Sequence, residues 1–314
     1  MATTMLPGPD LLPKVLPTER ISATGRPLPA VRDSLRQIPD LRNVATVLGA
    51  YLQSFGVIAL ALYLHTWWAY AAAFALMGRA FCLFNILGHE AAHRLLFSSK
   101  RANDLVGRFL LAYPALMPFD LYRRVHMAHH KEEFGPTEPD MKLYVGYPIA
   151  RASFRRKLTR DLLFVSGWKI LRSLLVALTR RDSRNLALRI VGVQLLIAAA
   201  FVASGYWWVY PVLWLAPWMT LWRVLNRLRA IAEHGGMTAS SDRRLTTHVI
   251  RQHLFARFWM VPYNTGWHLA HHVDIGIPWR NLPALHDELV ASGWVTPGLE
   301  YKSYLALWRA LASG

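Results

Sequence analysis

The sequence predicts an all-α membrane protein with four transmembrane helices in two hairpins and a helical cytoplasmic cap. Three observations support this fold class. Of the 314 residues, 54% are hydrophobic and only 18% are charged, whereas roughly 25% of residues are charged in soluble domains. Two long segments, 43–78 and 190–222, contain no charged residue. The chain also has 13 tryptophans, and tryptophan collects at membrane interfaces.

The first hairpin follows a polar, proline-rich N-terminal cytoplasmic arm, residues 1–42. A membrane-spanning helix needs about 20 apolar residues. The first uncharged segment, extended to Gly88, is too long for one span and long enough for two. We predict spans at 44–64 and 68–88, with the aromatic sequence of residues 65–70 as the turn between them.

The second hairpin occupies the second uncharged segment. We predict spans at 188–204 and 208–224, with the aromatic sequence SGYWWVYP as the turn. Between the hairpins, residues 105–119 are apolar but include an arginine and two prolines, so we expect a re-entrant or interfacial segment there. The membrane domain is then 43–290, and a C-terminal cytoplasmic helix follows at 291–314.

The basic residues predict the orientation of the chain. The net charge is +17 at pH 7, and nearly all Lys and Arg residues lie in the N-terminal arm, in residues 94–189 and after Trp222. By the positive-inside rule these regions and both termini are cytoplasmic. A basic chain can also bind nucleic acid, but no nucleic-acid module accompanies this charge. We therefore expect membrane lipids, and no nucleic acid, as partners.

Clustered histidines are the most informative polar residues beyond the predicted spans. Nine of the 13 histidines fall into four clusters. The clusters are His89 and His93; His126, His129 and His130; His234; and His268, His271 and His272. Positions i, i+3 and i+4 share one helix face, so each cluster can direct its imidazoles at a metal. Imidazole suits Zn, Cu, Fe and Ni. Cys82 is the single cysteine, which excludes a cysteine-rich metal site.

Two metal chemistries compete for these ligands. The sequence His89-Glu-Ala-Ala-His93 matches the zinc-protease signature, but a catalytic zinc takes three protein ligands and would leave six histidines unused. Nine ligands, at four or five per ion, fit two metals. Because the ligands are nearly all neutral imidazoles, they favour an iron pair that reacts with O₂ over a carboxylate-bridged zinc pair. A membrane zinc peptidase stays a remote alternative, as does a non-enzymatic metal transporter.

The three histidine boxes carry a resemblance to a known family. They read HEAAH at 89–93, HMAHH at 126–130 and HLAHH at 268–272, and the tail HHVDIGIPWRNLPALHDEL follows the last box. This pattern, over about residues 45–290, resembles the integral-membrane fatty acid desaturases and the related alkane and lipid hydroxylases. The resemblance implies O₂-dependent desaturation of a fatty acyl chain at a di-iron centre. Hydroxylation by the same superfamily is the alternative, because the same nine ligands serve both reactions.

The resemblance also implies roles for single residues. All nine histidines would hold two iron ions, with His234 as the additional ligand outside the boxes, and O₂ would be the co-substrate. Asn264 would hold a metal-bound water. Glu90, Glu233 and Asp274 would accept ring N–H groups from ligating imidazoles.

The reaction needs partners that this sequence does not supply. The acyl chain would arrive on coenzyme A, on a carrier protein or in a lipid. The sequence has no His-Pro-Gly-Gly haem motif and too few cysteines for a fused iron–sulfur domain, so we expect a separate electron donor such as a ferredoxin, a rubredoxin or a cytochrome b5-like protein. The basic sequences at 155–157 and 180–184 could attract an acidic donor or lipid headgroups.

Overall fold

The computed structural model describes residues 5–314, which are predominantly helical. The first helices are α1 (Pro29–Leu35), α2 (Asp40–Leu64), α3 (Trp67–Ala92), α4 (Lys100–Leu105), α5 (Phe119–Lys131), α6 (Met141–Tyr144), α7 (Arg151–Leu162) and α8 (Val165–Ala177). The later helices are α9 (Arg181–Ala203), α10 (Ala216–Met219), α11 (Leu221–His234), α12 (Leu254–Trp259), α13 (His268–Val273), α14 (Leu282–Ala291) and α15 (Tyr304–Leu311). Two short strands, β1 (Val249–Ile250) and β2 (Glu300–Tyr301), pair in parallel.

The described residues form two compact units, which are considered separately. The first unit comprises residues 5–38, 124–155 and 227–314. The second unit comprises residues 39–123 and 156–226.

Three helices of the second unit are long and apolar enough to cross a membrane, among the residues that the structure describes: α2, α3 and α9. They coincide with the first three predicted spans. The α2 residues facing the protein recur every three or four positions, as one face of a helix requires; they are Val47, Ala50, Ser54, Ile58 and Ala61. Its other side exposes Leu48, Leu52 and Leu60. Such an apolar outer face is expected of a helix that contacts lipid.

The first predicted hairpin turns sharply between α2 and α3. His65 ends α2 in the left-handed conformation, with φ of 50°, and Thr66 is extended just before α3. The turn therefore lies at the start of the aromatic sequence in which it was predicted. Aromatic packing continues inside the unit, where the ring of Trp214 is fully buried and lies 5.4 Å from that of Phe81.

The predicted fourth span, 208–224, is not one continuous helix. A π-helical turn covers Tyr210–Leu215, α10 is only four residues long, and α11 begins at Leu221. Thr220 separates the last two with φ of −120° and ψ of −88°. Pro211 and Pro217 lie within the segment, and proline removes a backbone donor and disfavours a regular helix interior. This interruption explains why three helices, and not four, are long enough to span.

The segment predicted to be re-entrant is also irregular. It contains a π-helix at Val106–Ala112 and then a turn. The Gln194 amide, on α9, donates to the carbonyls of Tyr113 at 2.6 Å and Pro114 at 3.0 Å. Carbonyls outside a regular helix need such partners where water is excluded. The one glutamine of the third span therefore stabilises the backbone of this neighbouring segment.

The first unit has a core where α13 and α14 pack with the N-terminal arm. Buried apolar residues of this core include Ile21, Leu269, Ile277, Leu282, Leu285, Leu289 and Trp294. Arg244 fastens the arm, because its guanidinium donates to the carbonyls of Pro13 and Trp294 and lies over the Trp294 ring. The C-terminal helix α15 buries Tyr304, Leu307 and Leu311. The arm and the C-terminal helix are thus packed parts of the first unit.

Candidate metal centre

Seven of the nine predicted histidine ligands lie in the first unit, and all seven are buried. They are His126, His129 and His130 on α5, His234 at the end of α11, and His268, His271 and His272 on α13. The i, i+3 and i+4 spacing places the three histidines of each box on one side of a short helix. The seven imidazoles come together although the chain separates them by more than a hundred residues.

The ring nitrogens divide these histidines into two sets. In the first set, His130 Nε2 lies 3.0 Å from His126 Nε2 and 3.1 Å from His271 Nε2. The second set has four members, His129, His234, His268 and His272. Within it, His268 Nε2 lies 3.2 Å from His234 Nε2 and 2.9 Å from His272 Nε2, and the ligand atoms of His129, His234 and His272 all lie within 4.8 Å of one another.

These distances fit metal ligation. Two nitrogens bound to one ion at about 2.0–2.1 Å, and about 90° apart, lie about 3 Å from each other. Four imidazole pairs in the first unit have nearly that separation. Buried imidazoles held this closely would repel one another if protonated. The donor atoms therefore suit metal ions, and their division into two sets suits two of them.

In three histidines of the second set, the Nδ1 atom has a hydrogen-bond partner outside the set. The Nε2 atom is then left to face the other imidazoles. His272 Nδ1 donates to Glu133 Oε1 at 2.5 Å, and His129 Nδ1 donates to Glu138. His234 Nδ1 donates to the carbonyl of Thr246 at 2.8 Å. A partner on the outer nitrogen fixes the tautomer and the orientation of a ligating imidazole.

The Glu133 carboxylate joins a longer network. Its Oε1 lies 2.5 Å from Arg243 Nη1, and Arg243 also donates to the backbone carbonyl of His130 at 3.1 Å. Arg243 thus connects a box on α5 with the carboxylate that orients His272. Burial raises the pKa of Glu133, and this shift is opposed by Thr246 and by the positive charge of Arg243.

The imidazole pKa values favour ligation. Burial, reinforced by neighbouring imidazoles, lowers the pKa of His234, His268 and His272 well below the ordinary value. Neutral imidazole is the form that binds metal. His129 differs: burial opposes its charged form, but the hydrogen bond and charge of Glu138 outweigh burial and raise its pKa. At pH 7 a metal must therefore compete with a proton most strongly at His129.

The other two predicted ligands lie in the second unit. His89 is buried in the last turn of α3, and His93 caps the end of that helix. Their ring centroids are 4.7 Å apart, so the first box presents two imidazoles side by side, as its i, i+4 spacing predicts.

The predicted carboxylate partners lie in different surroundings. Glu233 is 3.7 Å from His268 Nδ1 and 3.1 Å from Arg229. Asp274 pairs with Arg32 at 2.5 Å and also accepts a hydrogen bond from the backbone N–H of Gly276 at 2.9 Å. Glu90 is buried within α3, with 2% of its surface exposed.

The predicted water-binding residue, Asn264, lies in a turn with φ of 62°. Its side-chain oxygen accepts a hydrogen bond from Arg257 at 3.2 Å.

Sequence reasoning missed Glu133 and Glu138, the carboxylates that bond directly to the imidazoles of His272 and His129, two of the predicted ligands. Both follow the second box within the sequence His130-Lys-Glu-Glu-Phe-Gly-Pro-Thr-Glu138. The available signal was the cluster of acidic residues just beyond a box. The backbone N–H of Phe134 also donates to Glu138, in a turn where Phe134 has φ of 59°. This turn brings Glu138 back against α5.

Comparison with known proteins decides the family. A family model described as "Fatty acid desaturase" matches residues 65–304, which include all three histidine boxes. The chain belongs to the fatty acid desaturase family. The resemblance inferred from the boxes is confirmed, and so is the enzyme class: the protein is an oxidoreductase that desaturates fatty acyl chains.

Desaturases from bacteria are among its relatives. The dihydrorhizobitoxine desaturase of Bradyrhizobium elkanii is 25% identical over 268 residues, covering 79% of this chain and 76% of the relative. The sn-1 oleoyl-lipid 12-desaturase of a Synechocystis species is 23% identical over 313 residues, covering 88% and 87%. The sn-1 acyl-lipid omega-3 desaturase (ferredoxin) of a Nostoc species is 22% identical over 283 residues, covering 81% and 75%.

Proposed function

We propose that this desaturase introduces a double bond into an acyl chain carried by a membrane lipid, at a di-iron centre held by nine histidines. The observation that carries the proposal is the pair of buried imidazole sets in the first unit, whose Nε2 atoms approach each other at 2.9–3.2 Å. The lipid-linked substrate is supported by the relatives, several of which are named acyl-lipid desaturases. Coenzyme A and carrier-protein thioesters are the competing carriers.

The nine ligands would serve two ions. The second set supplies four imidazoles, from His129, His234, His268 and His272. The first set supplies three, and we propose that His89 and His93 complete it, because their box has the i, i+4 spacing of a ligand pair and their rings lie side by side. Asn264 would act through a metal-bound water: its side-chain oxygen accepts from Arg257 at 3.2 Å, and an amide oxygen can accept a second hydrogen bond.

The reaction balances with one O₂, two electrons and two protons. A –CH₂–CH₂– unit loses two hydrogens and becomes –CH=CH–, while O₂ is reduced to two waters. Irons bound to the histidines would supply the O₂ activation that the unactivated C–H bonds require. The protein's own residues keep His234, His268 and His272 neutral through burial, as their lowered pKa values indicate. Glu133 and Glu138 hold protons on the outer nitrogens of His272 and His129, and the burial of the site excludes bulk water.

The electrons would come from a separate protein. The described residues hold a single buried cysteine, Cys82, which cannot by itself hold an iron–sulfur cluster. Two relatives are named as ferredoxin enzymes, and we propose a ferredoxin as the donor. An acidic donor would approach the basic cytoplasmic side with electrostatic steering.

We further propose four spans with a cytoplasmic cap. The fourth span would be the interrupted segment 208–224, in which breaks are tolerated where other protein groups satisfy the backbone. Thr220 Oγ1 gives one such bond, to the Ala216 carbonyl at 2.7 Å. Both termini and the metal centre would be cytoplasmic, because nearly all basic residues lie in these regions. Protease accessibility of tagged termini in oriented vesicles tests this topology.

Metal content and product analysis test the function. Purified protein should contain about two irons per chain, and His126→Ala or His268→Ala should lose iron. The matched control is His253→Ala, since His253 caps α12 through its ring nitrogen. With reduced ferredoxin, O₂ and lipid substrate, mass spectrometry should detect an acyl chain lighter by two hydrogens.

Other outcomes would contradict the proposal. One zinc per chain, retained in His126→Ala and His271→Ala, would instead support a peptidase. A product that is heavier by one oxygen would support the hydroxylase alternative.

A further inference from the structure

The second unit contains a basic groove whose residues lie outside the three histidine boxes. We define the basic groove by its lining residues on α8, on the connection to α9 and on the first turn of α9. They are Lys169, Arg172, Ser173, Val176, Ala177, Arg180 and Ser183. The groove has a volume of about 530 Å³. It lies at the N-terminal end of α9, a helix long and apolar enough to cross a membrane.

Helical spacing produces the groove. Lys169, Arg172 and Ser173 are three and four positions apart on α8, so they share one face of that helix. Gly167 lies on a different side and is buried against α10: an added Cβ there would meet the Met219 carbonyl oxygen at 2.3 Å. Close packing through Gly167 therefore leaves the cationic face of α8 directed outward.

The three cations of the groove lack carboxylate partners. In the part of the chain that the structure describes, Lys169, Arg172 and Arg180 form no ion pair. Asp182, two residues after Arg180, does not line the groove. The hydroxyls of Ser173 and Ser183 donate to backbone carbonyls, so the cationic side chains are the donors available to a ligand. Three uncompensated cations in one concave site favour an anion.

The surroundings indicate that this anion belongs to a lipid. With 13 residues, α8 is too short to cross a bilayer, yet it exposes Trp168 and Leu175 beside the cations. Phe164, just before α8, is also exposed. An amphipathic helix with exposed Trp, Leu and basic residues is typical of the membrane interface. A soluble acidic protein would gain little from contact with these apolar side chains.

We propose that the basic groove binds the phosphate headgroup of an anionic phospholipid, while Trp168 and Leu175 contact its acyl region. The positive end of α9, at Arg181, would add to the attraction for the phosphate. This proposal does not depend on the chemistry of the metal centre.

Native mass spectrometry of the detergent-purified chain tests the site. Phosphatidylglycerol should bind more tightly than phosphatidylcholine of the same acyl composition. The variant K169Q/R172Q/R180Q should lose this preference, with binding of phosphatidylglycerol weakened by about fivefold per cation and on the order of 100-fold in total. The charge-preserving variant K169R/R172K/R180K should keep it. The matched control K100Q/R101Q/K302Q removes three exposed cations elsewhere and should bind phosphatidylglycerol like the parent.

Three results would overturn the proposal. The first is equal binding of the two lipids by the parent, and the second is unchanged phosphatidylglycerol binding by K169Q/R172Q/R180Q. The third comes from competition: if inorganic phosphate displaces phosphatidylglycerol at equal concentration, the groove is a phosphate site and not a lipid site. If the second result came with a loss of ferredoxin binding by K169Q/R172Q/R180Q, the groove would be assigned to the electron donor.

Discussion

Replacing Glu133 with Gln should weaken metal binding without changing the fold. The Glu133 side chain is 1% exposed, and its Oε1 accepts from His272 Nδ1 and Arg243 Nη1, both at 2.5 Å. Gln has nearly the same shape but no charge. Loss of a carboxylate that orients a ligating imidazole costs about 10–100-fold in metal affinity. That factor corresponds to about 1.4–2.7 kcal/mol.

The assay measures iron per chain against a graded series of chelator-buffered iron concentrations. The control is Glu132→Gln, because the neighbouring Glu132 is exposed and accepts from the hydroxyl of Thr137. We expect the Glu133→Gln binding curve to shift by 10–100-fold toward higher free iron and the control curve to coincide with the parent. Circular dichroism in detergent should give the same helix content for all three proteins.

Comparing Glu133→Gln with Glu132→Gln separates the loss of one hydrogen bond to His272 from a change in the net charge of the turn. If Glu133→Gln binds iron as the parent does, the carboxylate does not orient His272 and the reasoning fails. If Glu132→Gln loses iron equally, the effect comes from the net charge of this turn and not from one hydrogen bond. Arg243→Gln should have a smaller effect than Glu133→Gln, since it keeps the bond from His272 to the carboxylate.

Two further predictions concern stability. Gly167→Ala would force a Cβ to 2.3 Å from the Met219 carbonyl oxygen and should lower the free energy of unfolding by about 1–3 kcal/mol. In the control Gly192→Ala the added Cβ meets nothing within 4 Å, so the free energy of unfolding should stay unchanged or rise by up to about 1 kcal/mol. Equal melting temperatures of the two variants would contradict this prediction. Burial lowers the pKa of His248 to about 4. Between pH 6.5 and 4 the unfolded chain therefore binds a proton at this residue that the folded chain does not. As the pH falls through this range, the folded state should lose up to about 3 kcal/mol of stability. His248→Gln should reduce that slope in denaturant titrations at several pH values, and an unchanged slope would refute it.

Local spacing made the histidine ligands predictable. In the second and third boxes, i, i+3 and i+4 positions share a helix face whatever the rest of the fold does. That rule predicts which imidazoles α5 and α13 can each direct to one side, whereas the division into two sets needs the contact between these helices and His234 of α11. The first two spans were predictable for a similar reason, because composition and length alone decide whether a helix can cross a membrane.

The partners of the histidines depend on tertiary structure. The sequence offered Asp274, after Glu90 and together with Glu233, because it follows the third box closely, but position in the sequence does not determine which side chain a carboxylate contacts. Asp274 contacts Arg32, which is 242 residues away in sequence. Conversely, nothing in the sequence distinguishes the buried Glu133 from the exposed Glu132 beside it. That difference arises where α5 ends and the chain turns at Phe134.

The interrupted segment 208–224 shows that composition does not predict whether an apolar segment forms one continuous helix. Residues 208–224 contain a single charged residue, Arg223, and hydropathy is insensitive to the φ and ψ of a single residue such as Thr220. Two prolines within the segment were a visible warning. The irregular backbone places Trp218 so that its indole N–H donates to the Ala115 carbonyl at 2.8 Å. A regular helix would present this side chain at a different angle.

Carboxylates near the second set supply negative charge that the neutral imidazoles themselves lack. Imidazoles bring no negative charge, so two bound cations would be compensated by nothing in the ligand set. Glu133, Glu138 and Glu233 each lie within ion-pair distance of an imidazole of this set. Placed one ring away from an ion, a carboxylate lowers the local positive charge and increases imidazole basicity without occupying a coordination position. If the second set binds an ion, neutral nitrogen ligands and charge compensation would therefore coexist, because the imidazoles would contact the ion and the carboxylates would contact the imidazoles.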